Sequence, residues 1–194
     1  MKFQRAADKY FEGFERVKIL REDGKGVRTE YVYRGDWYGF PGGKPQNIRM
    51  KLSCAGLSAA ALAAYIAAQL TPAVVGMSRI FGSISALAFI PFMFEIVAFC
   101  TFLPAGERWI MRVLRDGYRA LTLWAKIQEG LLGVFLLLQL GLTIWYGGWS
   151  QELHCILLYA LAFAAQTGML ILILKNPAEL LEKGTPAEAA EDIK

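Results

Sequence analysis

Polar and apolar positions divide the chain into two regimes. Through Lys51 the hydrophobic residues are interspersed with charge, and beyond it they gather in four long runs. Residues 52–70 are alanine-rich, 80–103 aromatic-rich, 124–146 leucine-rich, and 153–174 rich in leucine and alanine. A helix of about 20 predominantly apolar residues crosses a hydrocarbon core of about 30 Å. Each run meets that length. The expected fold class is therefore an all-α membrane protein, a four-transmembrane-helix bundle over residues 51–174. The first run is the weakest, because alanine is only mildly hydrophobic and Ser53, Ser58 and Gln69 interrupt it. It is expected to pack inside the bundle rather than face lipid.

Charge placement orients these spans. Of the 21 Lys and Arg residues, 12 lie at or before Lys51, and Arg108, Arg112, Arg115 and Arg119 follow the second run. The connection at 71–79 holds one and that at 147–152 none, while Lys175, Lys183 and Lys194 lie in the tail. By the positive-inside rule the expected topology has both termini and the middle loop in the cytoplasm of a plasma or inner membrane. A cleavable leader is not expected before the first run, which is expected to serve as its own targeting signal.

Residues 1–50 form the expected cytoplasmic N-terminal segment, a helix followed by a β-hairpin. Phe3, Ala7, Tyr10, Phe14 and Val17 share one face at helical spacing over residues 2–16, which predicts an amphipathic helix. Residues 17–21 and 27–34 flank Asp23-Gly24-Lys25-Gly26, a turn with glycines where positive φ is needed. An isolated hairpin is marginal in water, so it must pack on the helix, the bilayer or a partner. Trp37, Tyr38 and Phe40, just before the first span, read as an interfacial anchor.

Between the second and third spans, Arg108, Arg112, Arg115 and Arg119 fall within about 60° on a helix, with Trp109, Ile110, Val113, Leu114, Tyr118 and Leu121 opposite. This predicts an amphipathic helix in the inner headgroup layer, its partner the lipid bilayer with an anionic inner leaflet. The arginines also serve to enforce topology. The tail, 175–194, is acidic, and Thr185-Pro186-Ala187-Glu188 fits a capping box that opens a short helix. Such a tail can pair with the basic loop.

Composition agrees with the pattern. Hydrophobic residues make up 55% of the chain, above the roughly 45–50% of soluble domains. The net charge of +4 carries no aromatic-and-basic interleaving of the kind that reads nucleic acid, so no nucleic-acid partner is expected. Cys54, Cys100 and Cys155 are odd in number and lie in apolar runs, so a disulfide scaffold is not expected. His154 is the single histidine, and no Ser/His/Asp set or metal-ligand spacing occurs. No catalytic residue, metal, cofactor or enzymatic activity is expected.

Two features inside the spans stand out. Small residues recur at every fourth position: Gly56, Ala60, Ala64 and Ala68; Ser78, Gly82 and Ala86; Ala160, Ala164 and Gly168. Such ridges let helices approach closely, within the bundle or against a second subunit. The other is Glu95, mid-span and four positions after Pro91, a proline that frees a backbone carbonyl. An ionisable side chain at this depth costs about 2.5–3.5 kcal/mol on insertion scales. Counting 1.5 Å per residue puts Glu95 and Gln166 at nearly the same depth, with Glu129 a few ångströms nearer the cytoplasm. A Glu95–Gln166 hydrogen bond is expected, with the glutamate acting as interhelical glue or as a proton or cation site.

The expected function is an accessory or structural subunit of a larger membrane assembly, with a protein partner or self-association in the membrane. The alternative is a small oligomeric transporter or channel using Glu95.

Overall fold

A computed structural model describes residues 12–20, 27–72, 86–146 and 149–183. Strands β1 (Phe14–Leu20), β2 (Val27–Tyr33) and β3 (Trp37–Gly39) precede helix α1 (Gly43–Leu70) and helix α2 (Phe89–Phe102). A π-helical stretch (Val113–Arg119) runs into α3 (Ala120–Tyr146), followed by α4 (Trp149–Lys175) and β4 (Glu179–Glu182). Three helical segments, Gly43–Leu70, Val113–Tyr146 and Glu152–Lys175, are long and apolar enough to cross a membrane. Phe89–Phe102 is a shorter apolar helix, and residues 80–85 of the run expected at 80–103 lie outside the described residues.

Helix α1 packs along α4, α4 along α3, and α2 against α3 and the π-helical stretch. The α1–α4 pair is antiparallel: Ala68 meets Cys155, Leu57 meets Gly168, and Gln46 bonds Asn176. The buried positions of α1 are Met50, Cys54, Ser58, Ala61, Ala64, Tyr65 and Ala68, and those of α3 include Leu121, Ala125, Gln128, Leu132, Phe135 and Gln139. Both sets follow the 3.6-residue period of one helix face. Outward, large apolar side chains such as Leu137, Leu157, Leu161 and Val97 are exposed, a surface suited to lipid.

Helix α1 begins nine residues before the expected span. Gly43 has φ +65, a left-handed conformation open to glycine, and it closes a turn onto Phe40 O at 3.1 Å. Pro45 then sits in the first turn, where its missing N–H costs nothing. Lys51, which marks the boundary of the apolar run, lies inside the helix and is buried.

At the end of the bundle where α1 and α3 start, the segments between helices are sewn together. β1 and β2 pair antiparallel from Phe14↔Tyr33 to Leu20↔Val27. The helix expected over 2–16 therefore does not reach its predicted end. Gly13, at φ +83, breaks the backbone there, and Phe14, Arg16 and Val17 lie on a strand whose partner outweighs the helical spacing. The earlier part of that helix, the 21–26 turn and the 185–188 capping box lie outside the described residues. The hairpin docks within this chain: Tyr33 Oη takes the Met111 N–H at 3.1 Å, and Arg115 meets Glu12 at 3.0 Å.

β3 pairs with β4 on one side, Tyr38 opposite Leu180 and Gly39 opposite Glu179. On its other side Tyr38 exchanges two backbone hydrogen bonds with Trp109, at 2.9 and 2.6 Å. Gly39 is required by close approach, since a Cβ there would lie 2.6 Å from Glu107 O and 2.7 Å from Leu181. The tail is thus a strand before it is anything else, and Arg108 meets Glu182 at 2.8 Å.

Two expectations for this end are corrected. The stretch around 108–121 is not a separate amphipathic helix, because Trp109 is bridged through its backbone to Tyr38 of β3 and the π-helical turns continue directly into α3. Its apolar side is covered by protein: Trp109, Leu114, Tyr118 and Leu121 are buried with Phe40, Phe102 and Met50. Likewise Phe40 is a core residue rather than an interfacial anchor, edge-on to Trp109 at 4.8 Å and to Tyr118 at 5.9 Å.

Candidate functional site: a buried polar layer

Glu95 projects from α2 into the bundle and is 0% exposed. Ser58 Oγ of α1 donates to Glu95 Oε2 at 3.0 Å, and Gln166 Nε2 of α4 donates to Glu95 Oε1 at 2.5 Å. The carboxyl group thereby joins three helices. The contact with Gln166 is the one that depth counting predicts; Ser58, which the sequence reading treats only as a flaw in a weak span, supplies the third side. Its signal was there in the helical spacing, since Cys54, Ser58, Ala61 and Tyr65 share one face.

Pro91 is buried one turn before Glu95. It lies in the first turn of α2, after a turn at Leu87 and Ala88. The carbonyl a proline deprives is that of Leu87, and the Ile90 N–H takes it at 3.1 Å. Glu129 is half-buried and accepts from Thr167 Oγ1 at 3.0 Å, a separate α3–α4 pair. Gln128, beside it, is 0% exposed, and neither of its amide atoms has a hydrogen-bond partner. Gln166 Oε1 is likewise unpartnered.

Polar side chains link the helices at other levels too. Gln69 Nε2 donates to Tyr159 Oη at 2.8 Å, and Gln139 Nε2 to Glu152 Oε2 at 2.6 Å, with Gln139 and Glu152 buried. At the opposite end Lys51 Nζ donates to the carbonyls of Leu103 and Ala105, capping the end of α2, and lies 5.1 Å from the Phe102 ring centre. A cation at a helix C-terminus is favoured by the helix dipole. Asn47 Nδ2 reaches Gly106 O at 2.8 Å beside it. Just outside the bundle, burial and then the Asp36 carboxylate push the Tyr38 hydroxyl above its usual range, so it stays protonated next to Asp36 Oδ2 at 3.5 Å.

The small-residue ridges are divided between the bundle interior, where Ala68 is buried, and its outer face. Ala64 is buried and Gly168 touches Leu57, but Gly56, Ala60, Ala86 and Ala164 face outward. The reason is periodicity: a four-residue stride drifts about 40° per step from a 3.6-residue helix face. Gly82 and Ser78 lie outside the described residues. Of the arginines, Arg108 and Arg115 are ion-paired, and Arg112 and Arg119 are exposed.

Among the described residues no group of three or more His, Cys, Asp or Glu is placed to hold a metal, and Cys54, Cys100 and Cys155 are free thiols. Chemically the central cluster is an acceptor held by two donors in a sealed apolar setting, a geometry that fastens helices together. Helices of this length and apolarity mark an integral membrane protein. Comparison of the chain with protein-family models, curated proteins and solved structures returned no match.

Proposed function

We propose that this chain is a four-span accessory or structural subunit of a larger membrane assembly, with both chain ends and the middle loop in the cytoplasm. The observation that carries the reading is the sealing of Glu95. Its carboxyl oxygens are taken by Ser58 and Gln166 and none of its surface is exposed. A transporter built on that carboxyl needs water to reach it, whereas a latch needs it dry. The outward-facing small residues Gly56, Ala59, Ala60 and Ala63 add to the argument, since they give α1 a flat outer face of the kind helices pack against.

Orientation is tested by single-cysteine labelling in a chain whose Cys54, Cys100 and Cys155 are replaced by alanine. With a membrane-impermeant maleimide on intact cells, Ser150→Cys is expected to react and Lys183→Cys to react only after permeabilisation. Labelling of Lys183→Cys from outside overturns the topology.

The subunit role is tested by gentle detergent extraction of the tagged chain from its native membrane. Co-purification with a partner protein at fixed stoichiometry is the expected result. A lone monodisperse chain that moves protons or cations in liposomes, and loses that activity in Glu95→Gln, would establish the transporter instead.

A further inference from the structure

A groove opens between α3 and α4 near the end of the bundle that carries the β strands. Its volume is about 350 Å³, and its walls are Tyr118, Arg119, Thr122, Leu123 and Lys126 on one side and Ile173, Leu174 and Pro177 on the other. Arg119, Thr122 and Lys126 are spaced three and four residues apart, so they share a helix face with the two cations about 10 Å apart along the axis. Both cations are exposed, and neither has an ion pair or side-chain hydrogen bond among the described residues. Among the described residues, three acids of these elements are engaged elsewhere: Asp116 holds Arg115, Glu129 accepts from Thr167, and Glu182 holds Arg108.

The rest of the groove is apolar. Leu123 and Leu174 are 55% and 57% exposed and continue into the outward apolar surface of α3 and α4. The site therefore presents two cations unpaired among the described residues, at the edge of a span, with an apolar wall of exposed leucines between and opposite them. An inorganic anion or an acidic peptide would gain from the first and leave the second wet. A molecule with an anionic head and an aliphatic tail matches both, and basic pockets between transmembrane helices are suited to such headgroups.

We propose that this groove binds one anionic phospholipid, with Arg119 and Lys126 holding the headgroup phosphate and an acyl chain lying against Leu123 and Leu174. Long cationic side chains with apolar stems are suited to that position, since the stem lies along the tail while the charged end reaches the phosphate. The proposal rests on the membrane-spanning reading and is independent of the accessory role.

The test uses the full chain in nanodiscs of mixed phosphatidylglycerol and phosphatidylcholine, released for native mass spectrometry. One phosphatidylglycerol is expected to be retained in preference to phosphatidylcholine. The double variant R119A/K126A is expected to weaken that retention about 30-fold, the loss of two cations near an anionic headgroup. The charge-keeping pair R119K/K126R should bind as the parent does. K44A/R49A removes the same charge from the exposed start of α1 and should change nothing.

Equal retention of both lipids, an equal loss in K44A/R49A, or displacement of the lipid by millimolar inorganic phosphate overturns the proposal. A chain that is stripped from its native membranes by alkaline carbonate sinks the membrane reading, and this site with it. Insertion with unselective retention sinks the site alone.

Discussion

Trp109→Ala is expected to be among the most destabilising single substitutions in the described structure, lowering stability by about 3–5 kcal/mol. Trp109 is 0% exposed and lies edge-on to Phe40 and Phe102, with ring centres 4.8 and 5.2 Å away. Its indole N–H also bonds Gly106 O at 2.9 Å. Truncation leaves a void among Phe40, Phe102 and Tyr118 and removes part of the surface beneath the Lys51 amine, which lies 6.0 Å from the indole ring centre. Trp145, 83% exposed, is the comparison: Trp145→Ala should shift stability little. Unfolding midpoints in detergent micelles read both. A smaller loss for Trp109→Ala than for Trp145→Ala would show that the aromatic cluster does not hold this end of the molecule.

The second large effect belongs to Glu95, and it depends on what replaces the carboxylate. Glu95→Ala leaves Ser58 Oγ and Gln166 Nε2 buried without their acceptor. Each orphaned group costs about 1–3 kcal/mol, with membrane interiors toward the low end, so a loss of about 2–4 kcal/mol is expected. Glu95→Gln should cost less than about 1 kcal/mol. Its carbonyl oxygen can still accept from Ser58, and rotation of the Gln166 amide offers the unpartnered Oε1 to the introduced NH2. The same pair separates the roles. A latch tolerates the amide in both stability and assembly, whereas a proton carrier keeps its fold and loses its activity.

The long apolar runs were legible because bilayer length and chain composition determine them locally. So was the Glu95–Gln166 pairing, since depth along two helices that run the same way is arithmetic once the spans are placed. Less legible was anything decided by a neighbour. Lys51 reads as a polar boundary because its charge counts against burial, yet two carbonyls and an aromatic ring receive it. Trp109 reads as a membrane-facing aromatic because a single helix wheel shows only one element's apolar side, and Phe40 as an anchor because it stands just before a span. Here both are covered by other parts of the same chain. Glu179-Leu180-Leu181-Glu182 has no strand alternation, and its pairing is visible only with β3 in place, far away in the sequence. The four-residue ridges do not say by themselves which members face inward, because a stride of four drifts away from the 3.6-residue period of a helix face.

The β3–β4 ladder ties the approach to the first helix to the exit from the last. β4 emerges only after α4 has been made, so the ladder is among the final contacts that a growing chain can complete. Until then the edge of β3 beyond Trp37 has no strand to pair with, and Arg108 waits for Glu182. The molecule therefore closes like a clasp, late in synthesis, and an interruption after Lys175 would leave its helices made but its two ends unjoined.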